Sequence, residues 1–519
     1  MPRETWRLAK PAVASVGGIV SSQHHLASAI GAKVLSEGGN AIDAALATSF
    51  ALAAVEPWMS GLGGGGYMVV RFADAPAPQV VEFGMVSPQA LDPADYPLTG
   101  ATAGDLFAWP GVLDDRNVHG YHAIAVPGQV AGLALALERF GSRRWDELLQ
   151  PAIALAERGL TVDWYATLAI AATAKDMRRY PAAASLYLPD GLPPAGEWSG
   201  PPPTIGLGNL AKTLRRLAEA GPRDFYEGEI ARRLVADLAA GGSRIAASDL
   251  AGYEARLAVP SAARYRDATV YAPSGLTAGP TLHDALGRLD AGAFATAAPS
   301  VEAYVAYAKA LHAAYAQRLS EMGETALPAA SSCTSHIGVA DRHGNLVALT
   351  QTLLSPFGAR VVLPETGILM NNGIMWFDPR PGGPNSIGPA KRPLSNMCPT
   401  ILAFDDGRRF ALGASGGRRI MPAVMQIVSF LADFGMTLND AFHTPRLDVS
   451  GTDVVTIDER LPPGLASALP PPLGALAVQQ GAYPSLFANP NAAGWLPEEA
   501  RAVGAVHVAS PWSQAAPGA

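Results

Sequence analysis

The chain has 519 residues, of which 49% are hydrophobic and 16% are charged. This composition is typical of a globular protein with a large apolar interior and argues against a disordered chain. The formal net charge of -7 is not accompanied by any run of Lys and Arg, so no nucleic-acid partner is expected. The cysteines, Cys333 and Cys398, are too few for a disulfide framework or a metal cluster, and no metal site is predicted.

The first 28 residues carry basic side chains but are interrupted by Pro11 and by Gly17-Gly18. They therefore lack the continuous apolar stretch of a signal peptide. No later run of about 18 uncharged apolar residues occurs, so no membrane span is predicted. A cytoplasmic location is the default expectation.

Two helices are predicted between His25 and Val55, with a break at Gly38-Gly39-Asn40. Asn40 is a suitable N-cap for the second helix, because its side-chain oxygen can accept from the free backbone N–H groups of the first turn. The second helix is rich in Ala and apolar on nearly every face, which indicates a buried helix packed on a sheet.

A glycine-rich segment, Gly61 to Gly66, contains the pattern G-x-G-x-x-G. The dinucleotide-binding fingerprint follows a strand and opens a helix. Here a helix comes before the glycines, and a strand, residues 67–72, is predicted after them. Close backbone packing is therefore the expected use of these glycines, and no cofactor is predicted.

The remaining elements follow from periodicity and from the positions of Pro and Gly. The predicted elements are irregular surface loops near the site mouth at 75–121, helices at 131–158, 209–238, 301–322 and 419–434, a long loop at 180–203, two strands within 253–271, a linker at 323–332, and strands at 359–363, 367–370 and 410–412. Beyond Val449 the pattern fades, and residues 511–519 are predicted to be a disordered tail. Mixed strands and long apolar helices favour an α+β fold in which two helical layers enclose two sheets.

A hairpin is predicted from His336 to Asp341 and from Leu346 to Thr352, joined by the polar turn at 342–345. Just before it stands Cys333-Thr334-Ser335. A hydroxyl residue that opens a buried strand can act as a nucleophile if the preceding peptide bond is cut. Its freed α-amino group, with a pKa near roughly 7.7 to 8, then serves as the base. By itself this segment is more typical of an ordinary loop that leads into a strand.

The wider sequence resembles the gamma-glutamyltransferase family. The matching motifs, in order, are Gly38–Ala45, Gly63–Met68, Val126–Gly128, Phe225–Gly228, Thr334–His336, Asp341, Gly344-Asn345, Thr350–Thr352, Lys391–Ser395 and Gly416-Gly417. Members of that family are N-terminal-nucleophile hydrolases that cut themselves just before the nucleophilic threonine. The resemblance implies a four-layer αββα sandwich and a cut between Cys333 and Thr334. The large-subunit region would be residues 1–333 and the small-subunit region 334–519, sharing one core, and the cut chain could pair into a dimer.

The resemblance also implies the roles of individual residues. Thr334 would be the nucleophile, and Thr352 matches a position that hydrogen-bonds the nucleophile's hydroxyl. Gly416 and Gly417 match the family's oxyanion glycines, and they stand before a predicted helix, where backbone N–H groups are free. His336 shares a strand face with Thr334, and both a supporting and a purely structural role stay open.

The chain departs from the family where the substrate's γ-glutamyl group would bind. The family's arginine is missing from residues 82–91, Trp376 replaces an acidic residue, Leu354 replaces an amide, and Ser395-Asn396 replaces a pair of serines. Unmatched charges in a closed pocket would each cost roughly several kcal/mol. Leu354, Met375 and Trp376, together with Phe377, are instead expected to form an apolar wall against the substrate's acyl group.

The predicted function is that of a self-cutting threonine amidohydrolase or acyltransferase, acting on a small-molecule amide whose acyl part is not γ-glutamyl. A true γ-glutamyltransferase that uses glutathione is the first alternative. The second uses Ser415, because Gly413 to Gly417 fit the G-x-S-x-G pattern of a serine hydrolase, with His443 and His507 downstream. The third is an uncut, non-catalytic protein that binds a small molecule.

Overall fold

A computed structural model describes residues 5–102, 107, 109–289, 294, 296–322 and 333–519, with residues 102 and 333 described by their backbone alone. Two seven-stranded sheets pack face to face, and helices cover the outer face of each. This is the four-layer αββα arrangement, and it confirms the α+β expectation. The predicted linker at 323–332 lies outside the described residues.

The strands within the described ranges are, in chain order, β1 Val13–Ser15, β2 Gly18–Ser22, β3 Gly65–Arg71, β4 Gln79–Phe83, β5 Leu98–Thr102, β6 Pro110–Val112, β7 Leu160–Thr161, β8 Thr204–Ile205, β9 Arg256–Ala258, β10 Ser261–Tyr265, β11 Ala268–Ala272, β12 Cys333–Asp341, β13 Leu346–Leu354, β14 Val362–Leu363, β15 Ile368–Leu369, β16 Thr400–Phe404, β17 Arg409–Ser415, β18 Leu447–Asp448, β19 Val454–Asp458, β20 Gly474–Val478, β21 Asn489–Leu496, β22 Arg501–Val506 and β23 Gln514–Pro517. One large sheet has the order β23-β2-β12-β13-β3-β4-β9, and the other has the order β1-β22-β21-β17-β16-β11-β10.

The α-helices of the described chain are α1 His25–Ser36, α2 Ala41–Val55, α3 Gln129–Phe140, α4 Trp145–Arg158, α5 Trp164–Met177, α6 Pro181–Tyr187, α7 Leu210–Ala220, α8 Glu229–Ala240, α9 Ala247–Ala251, α10 Gly279–Gly287, α11 Val301–Glu321, α12 Ile420–Ala432, α13 Leu438–His443 and α14 Leu465–Ala468. None of them is long and apolar enough to cross a lipid bilayer.

Helix α2 lies against the sheet that contains β12 and β13, as its composition predicts. Asn40 accepts from the backbone N–H groups of Ile42 and Asp43, while the Asp43 carboxylate accepts from the Asn40 N–H, which is a complete capping box. Every residue of the helix is buried. Because alanine side chains are small, α2 approaches both the sheet and α4 closely and packs directly against the hairpin.

The space between the two sheets is filled mainly by small and β-branched residues. Ala340 and Ala348 on one sheet face a common apolar cluster that includes Ala411 and Ala493 on the other. At Gly338 of β12, a Cβ atom would lie 2.9 Å from the backbone nitrogen of Ala493. The sheets are therefore in close contact, and the hairpin β12–β13 is enclosed on both faces.

The predicted hairpin is confirmed. Strands β12 and β13 pair in antiparallel register with His336 opposite Thr350, and Gly344 takes a positive φ of 78° in the connecting turn. The register shifts between Cys333 and Ser335, where Thr334 alone faces both Thr352 and Leu353, which marks a β-bulge at the end of β13, opposite the start of β12. Bulges reorient side chains locally, and this one lies at the proposed nucleophile.

The prediction of a disordered tail was wrong. Residues 514–517 form β23, which pairs with β2 at the edge of the sheet that contains the hairpin. Just before it, the Trp512 ring is 7% exposed and packs 5.1 Å from the Trp58 ring. The tail is ordered by strand pairing and by this contact between distant residues, and neither has a local sequence signal.

Three further predictions needed correction. The segment 180–203 was expected to be a loop, but it contains α6, whose Tyr187 ring lies 4.9 Å from Phe357. The irregular region 75–121 contains β4, a strand of the hairpin's sheet. Residues 253–271 contribute to three strands rather than two, since β9 joins one sheet while β10 and β11 join the other. In each case tertiary contacts overrode a local pattern dominated by Pro, Gly and Ala.

Candidate active site

Thr334 lies at the start of β12, opposite the bulge in β13, and it is 4% exposed. Its hydroxyl oxygen is 3.3 Å from the hydroxyl oxygen of Thr352, on the neighbouring strand β13. The Thr352 oxygen also accepts from the backbone N–H of Leu354 at 2.8 Å. The two threonine side chains are therefore brought together as the sequence predicted, with the Thr352 hydroxyl anchored to the backbone.

His336 occupies the same strand face as Thr334 but is engaged elsewhere. Its Nδ1 atom is 2.9 Å from the Thr350 hydroxyl, and its ring is fully buried against Gly413 of the opposite sheet. Burial lowers the pKa of His336 to about 3, so the imidazole is neutral at physiological pH. This geometry favours the structural role for His336.

The Gly416-Gly417 turn connects β17 to a short 3-10 turn and then to α12. The φ angles of the two glycines are 134° and 62°, in a region that residues with a Cβ rarely adopt. A Cβ at Gly416 would also lie 2.9 Å from the Cα of Ala488. The glycines therefore allow the chain to turn sharply, and the turn leads into a helix N-terminus, where backbone N–H groups are free to bind an anion.

Ser415 lies in the strand rather than in the turn. It is the last residue of β17, it is opposite Asn489 of β21, and its hydroxyl accepts from the Gln23 side chain at 2.6 Å. The two downstream histidines are bonded elsewhere, His443 to the Asn439 carbonyl and His507 beside Arg446. The described residues thus bring no histidine to Ser415, and the geometry does not support the serine-hydrolase alternative.

Leu354, Met375 and Trp376 belong to one buried cluster, as the sequence predicted. This aromatic cluster consists of Tyr67, Met85, Leu91, Tyr96, Phe107, Trp109, Val112, Ala125, Leu354, Ile374, Met375, Trp376, Phe377, Ile387 and Met397. Leu354 follows Thr352 by two residues and so connects the cluster to the threonine pair. The indole Nε1 of Trp376 is buried and has no hydrogen-bond partner among the described residues, which is unusual for a tryptophan N–H.

Ser395 and Asn396 lie beside the cluster and are held by Arg318. The buried guanidinium donates to the Ser395 carbonyl at 2.7 Å, and to the Asn396 side-chain oxygen at 3.4 Å. Burial lowers the pKa of Arg318 to about 10, so the group stays a cation at neutral pH. The Ser395 hydroxyl accepts from the N–H of Met397, a member of the cluster. In the structure these two residues thus connect Arg318 to the cluster.

Three residues near the site were not identified from the sequence. Phe107 and Trp109 come from the region predicted to be irregular surface loops, and Trp109 donates its indole N–H to the Met375 carbonyl at 3.2 Å. The Arg418 guanidinium lies 5.3 Å from the Phe107 ring centre and 5.7 Å from that of Trp109. Arg418 follows Gly417 directly, so it connects the glycine turn to the cluster. Two aromatic residues separated by a single residue in a Pro- and Gly-rich segment were the available signal.

Comparisons with known proteins identify the family to which the chain is similar. The gamma-glutamyltranspeptidase family model matches residues 27–332 and 328–482. The chain is 35% identical over 500 residues to the acylase ACY 1 proenzyme of Pseudomonas sp. strain V22, covering 89% of this chain and 87% of that protein. It is 30% identical over 509 residues to the glutathione hydrolase proenzyme of Bacillus subtilis strain 168, covering 87% and 84%.

Solved structures give the same result for the fold. A cephalosporin acylase from Bacillus halodurans superimposes with a TM-score of 0.84 at 23% identity, covering 100% of this chain and 98% of that one. The Helicobacter pylori gamma-glutamyltranspeptidase superimposes with a TM-score of 0.50 at 29% identity, covering 63% and 88%. The chain therefore belongs to the gamma-glutamyltranspeptidase family, and it is an amidohydrolase or acyltransferase with the N-terminal-nucleophile hydrolase fold.

Proposed function

We propose that this protein is an amide acylase whose nucleophile is Thr334, released when the chain cuts itself between Cys333 and Thr334. The observation that carries the proposal is the buried hydroxyl of Thr334 at the start of β12, 3.3 Å from the hydroxyl of Thr352. Such a threonine needs no separate base, because its own α-amino group titrates near roughly 7.7 to 8 and can accept the hydroxyl proton.

In the proposed reaction, the free α-amino group of Thr334 takes the hydroxyl proton while Oγ1 attacks the substrate's amide carbonyl. The Thr352 hydroxyl orients the nucleophile, and the backbone N–H groups of Gly416 and Gly417 stabilise the oxyanion. The ammonium of Thr334 then protonates the leaving amine, which leaves an ester on Oγ1. Water, activated by the same amine, hydrolyses that ester, and an acceptor amine in place of water would give acyl transfer.

The division into residues 1–333 and 334–519 is compatible with one lasting core. Strand β12 pairs with β2, and β13 pairs with β3, so the two regions are joined within one sheet. In the other sheet β16 pairs with β11, which again joins the two regions. A cut before Thr334 breaks none of these pairings, so the two pieces are expected to stay together. A dimer of the cut chain and a cytoplasmic location stay predictions.

The acyl group is proposed to be uncharged next to the scissile amide. A γ-glutamyl group carries an ammonium and a carboxylate, and burying either against Leu354, Met375 and Trp376 would cost roughly several kcal/mol without a partner. The similarity to the acylase ACY 1 proenzyme supports the same preference. The unpartnered N–H of Trp376 favours an acyl chain that carries one hydrogen-bond acceptor. Hydrolysis of γ-glutamyl amides, the activity named for the glutathione hydrolase relatives, is the second candidate.

Two measurements test the proposal. Intact mass spectrometry of the purified protein should show fragments that divide between Cys333 and Thr334, and Thr334→Ala should abolish both the cut and the activity. Ser415→Ala is the matched control and should leave the cut in place. Release of p-nitroaniline from pentanoyl-p-nitroanilide should exceed release from γ-glutamyl-p-nitroanilide, which has the same carbon chain with both charged groups. A preference for the γ-glutamyl compound would support the second candidate, and full activity in Thr334→Ala would refute the site.

A further inference from the structure

A chain of buried hydrogen bonds lies behind the proposed nucleophile, on the face of the hairpin turned away from Thr334. The Ser335 hydroxyl donates to the Glu56 carboxyl at 3.0 Å, and the Ser60 hydroxyl donates to the Ser335 oxygen at 3.1 Å. The Gln351 side chain, on β13, donates to the Ser60 oxygen at 2.9 Å. All four side chains are buried. This series of hydrogen bonds therefore connects both strands of the hairpin to the segment that follows α2.

The far end of this chain is anchored as well. The Gln351 side-chain oxygen accepts from the Ser49 hydroxyl at 2.6 Å and from the Gln129 amide at 2.5 Å. These two residues belong to α2 and α3. The network is thus supported by helices at one end, whereas its other end is the single carboxyl of Glu56, one residue beyond the last turn of α2.

Glu56 stands apart in this network because it is an ionisable group in an apolar surrounding. Burial raises the pKa of its carboxyl to about 8, and the hydrogen bond from Ser335 offsets only part of this effect. Within the described ranges, the group found to donate to the carboxyl is the hydroxyl of Ser335, and no charged side chain contributes to the pKa shift. The carboxyl is therefore uncharged at neutral pH, and ionising it would place an uncompensated charge next to β12.

We propose that Glu56 is a positioning residue for the Thr334 site: its buried carboxyl, through the hydrogen bond from Ser335, sets the start of β12. Ionisation would leave a buried charge without a counter-charge there, so the local structure should open to hydrate it and thereby disengage the site. The inference rests on the proposed function, since it takes Thr334 as the nucleophile. Ser335 is bonded directly to Thr334, so a displacement of Ser335 moves both the hydroxyl and the peptide bond to be cut. A displacement of about 1 Å is enough to slow a reaction that depends on close approach of the reacting atoms by about a hundredfold. Glu56 itself does not touch those atoms.

The test follows self-cleavage, which needs no substrate. The wild-type chain, Glu56→Gln, Glu56→Ala and the control Glu82→Gln on β4 are made by cell-free synthesis. The appearance of the two fragments is then timed over a pH series that brackets about 8. Glu56→Ala should slow cleavage at neutral pH, and Glu56→Gln, which has the same shape but cannot ionise, should restore it. Above the midpoint, the ratio of the Glu56→Gln rate to the wild-type rate should rise about tenfold per pH unit, as for a single ionising group. Glu82→Gln should follow the wild type throughout.

A constant ratio of the Glu56→Gln rate to the wild-type rate across the pH series would overturn the inference. A Glu56→Gln chain that cleaves as slowly as Glu56→Ala at neutral pH would do the same, provided that circular dichroism shows both variants folded. If either fails to fold, Ser335→Ala replaces it. That variant removes the link to Glu56, so it should cleave more slowly than the wild type at neutral pH, and its rate should lack the alkaline decline that the wild type shows. A wild-type chain that is never cut before Thr334 would refute the proposed function itself. That result is distinguishable from the outcomes that overturn only the role of Glu56.

Discussion

The hydroxyl oxygens of Thr334 and Thr352 lie 3.3 Å apart at the bulge where the end of β13 faces the start of β12. The Thr352 oxygen accepts from Thr334 and also from the backbone N–H of Leu354, which has a positive φ of 88°. Such a backbone conformation is rare for leucine and is found where surrounding structure enforces it. The strained residue thus places the acceptor for Thr334 and also contributes its own side chain to the aromatic cluster.

Thr352→Val tests the role of this acceptor. Valine keeps the shape of threonine but lacks the hydroxyl, so Thr334 loses its partner. We expect the rate of amide hydrolysis per folded molecule to fall at least about tenfold, which corresponds to about 1.4 kcal/mol. Thr350→Val is the matched control, because that hydroxyl contacts His336 instead. The control should lower the unfolding temperature while leaving the rate per folded molecule unchanged, and an equal loss of rate in both variants would argue against a specific role for Thr352.

Trp376→Asp tests the acyl preference. A carboxylate in the aromatic cluster could pair with the ammonium of a γ-glutamyl group, whereas an uncharged acyl group would gain nothing from it. The ratio of kcat/KM for γ-glutamyl-p-nitroanilide to that for pentanoyl-p-nitroanilide should rise about tenfold or more, equivalent to about 1.4 kcal/mol. Trp376→Phe, which keeps an apolar ring, should leave the ratio unchanged. An unchanged ratio in Trp376→Asp would place the acyl group elsewhere.

Gly413→Ala tests the contact between the two sheets. A Cβ at Gly413 would lie 2.3 Å from the His336 ring, which is itself fully buried. Overpacking of this kind is expected to lower the free energy of unfolding by about 1 to 3 kcal/mol. Gly287→Ala at the end of α10 is the control, since no described atom outside the helix backbone and the two neighbouring residues lies within 4 Å of its Cβ position. Urea denaturation should show a lower midpoint for Gly413→Ala and an equal or higher midpoint for Gly287→Ala.

Trp512→Ala tests the order of the C-terminal segment. The Trp512 ring is 7% exposed and lies 4.8 Å from the His24 ring, and its indole N–H donates to Asp163 at 2.5 Å. Removing a ring from such a site should lower the free energy of unfolding by about 3 to 5 kcal/mol. Trp198 is the control, because its side chain is fully exposed, and Trp198→Ala should have no measurable effect. Equal stability of the two variants would instead support the interpretation of the segment as a disordered tail.

Glu56 should also influence how stability depends on pH. Because the pKa of its carboxyl is about 8 in the folded protein against 4.5 for the ordinary group, the folded state binds the proton more tightly. Its contribution to stability is therefore fully present below about 4.5 and is lost as the pH rises through about 8. The difference in unfolding free energy between wild type and Glu56→Gln should fall by on the order of a few kcal/mol over this interval. A difference that stays constant with pH would show that Glu56 ionises at its ordinary value.

The sequence by itself determined the features whose signals are local. The Asn40 cap, the burial of α2 and the turn at Gly344 each depend on residues a few positions apart, so periodicity and turn chemistry predict them. The family motifs identified the fold and proposed Thr334, Thr352 and the two glycines as the site. The replacement of an amide by Leu354 and of an acidic residue by Trp376 was also evident from the sequence alone.

Only the tertiary structure decided which distant residues meet at the site. Glu56 and Ser335 are separated by 279 positions, and β2 pairs with β23 almost a whole chain length away. Strand pairing is made by backbone groups that every residue except proline carries, so its partner is not written into any one segment. Strand β13 is buried at all nine positions and therefore lacks the alternation that would show which face meets the helices. Phe107 and Trp109 likewise reach the aromatic cluster only because the fold brings their irregular segment against it.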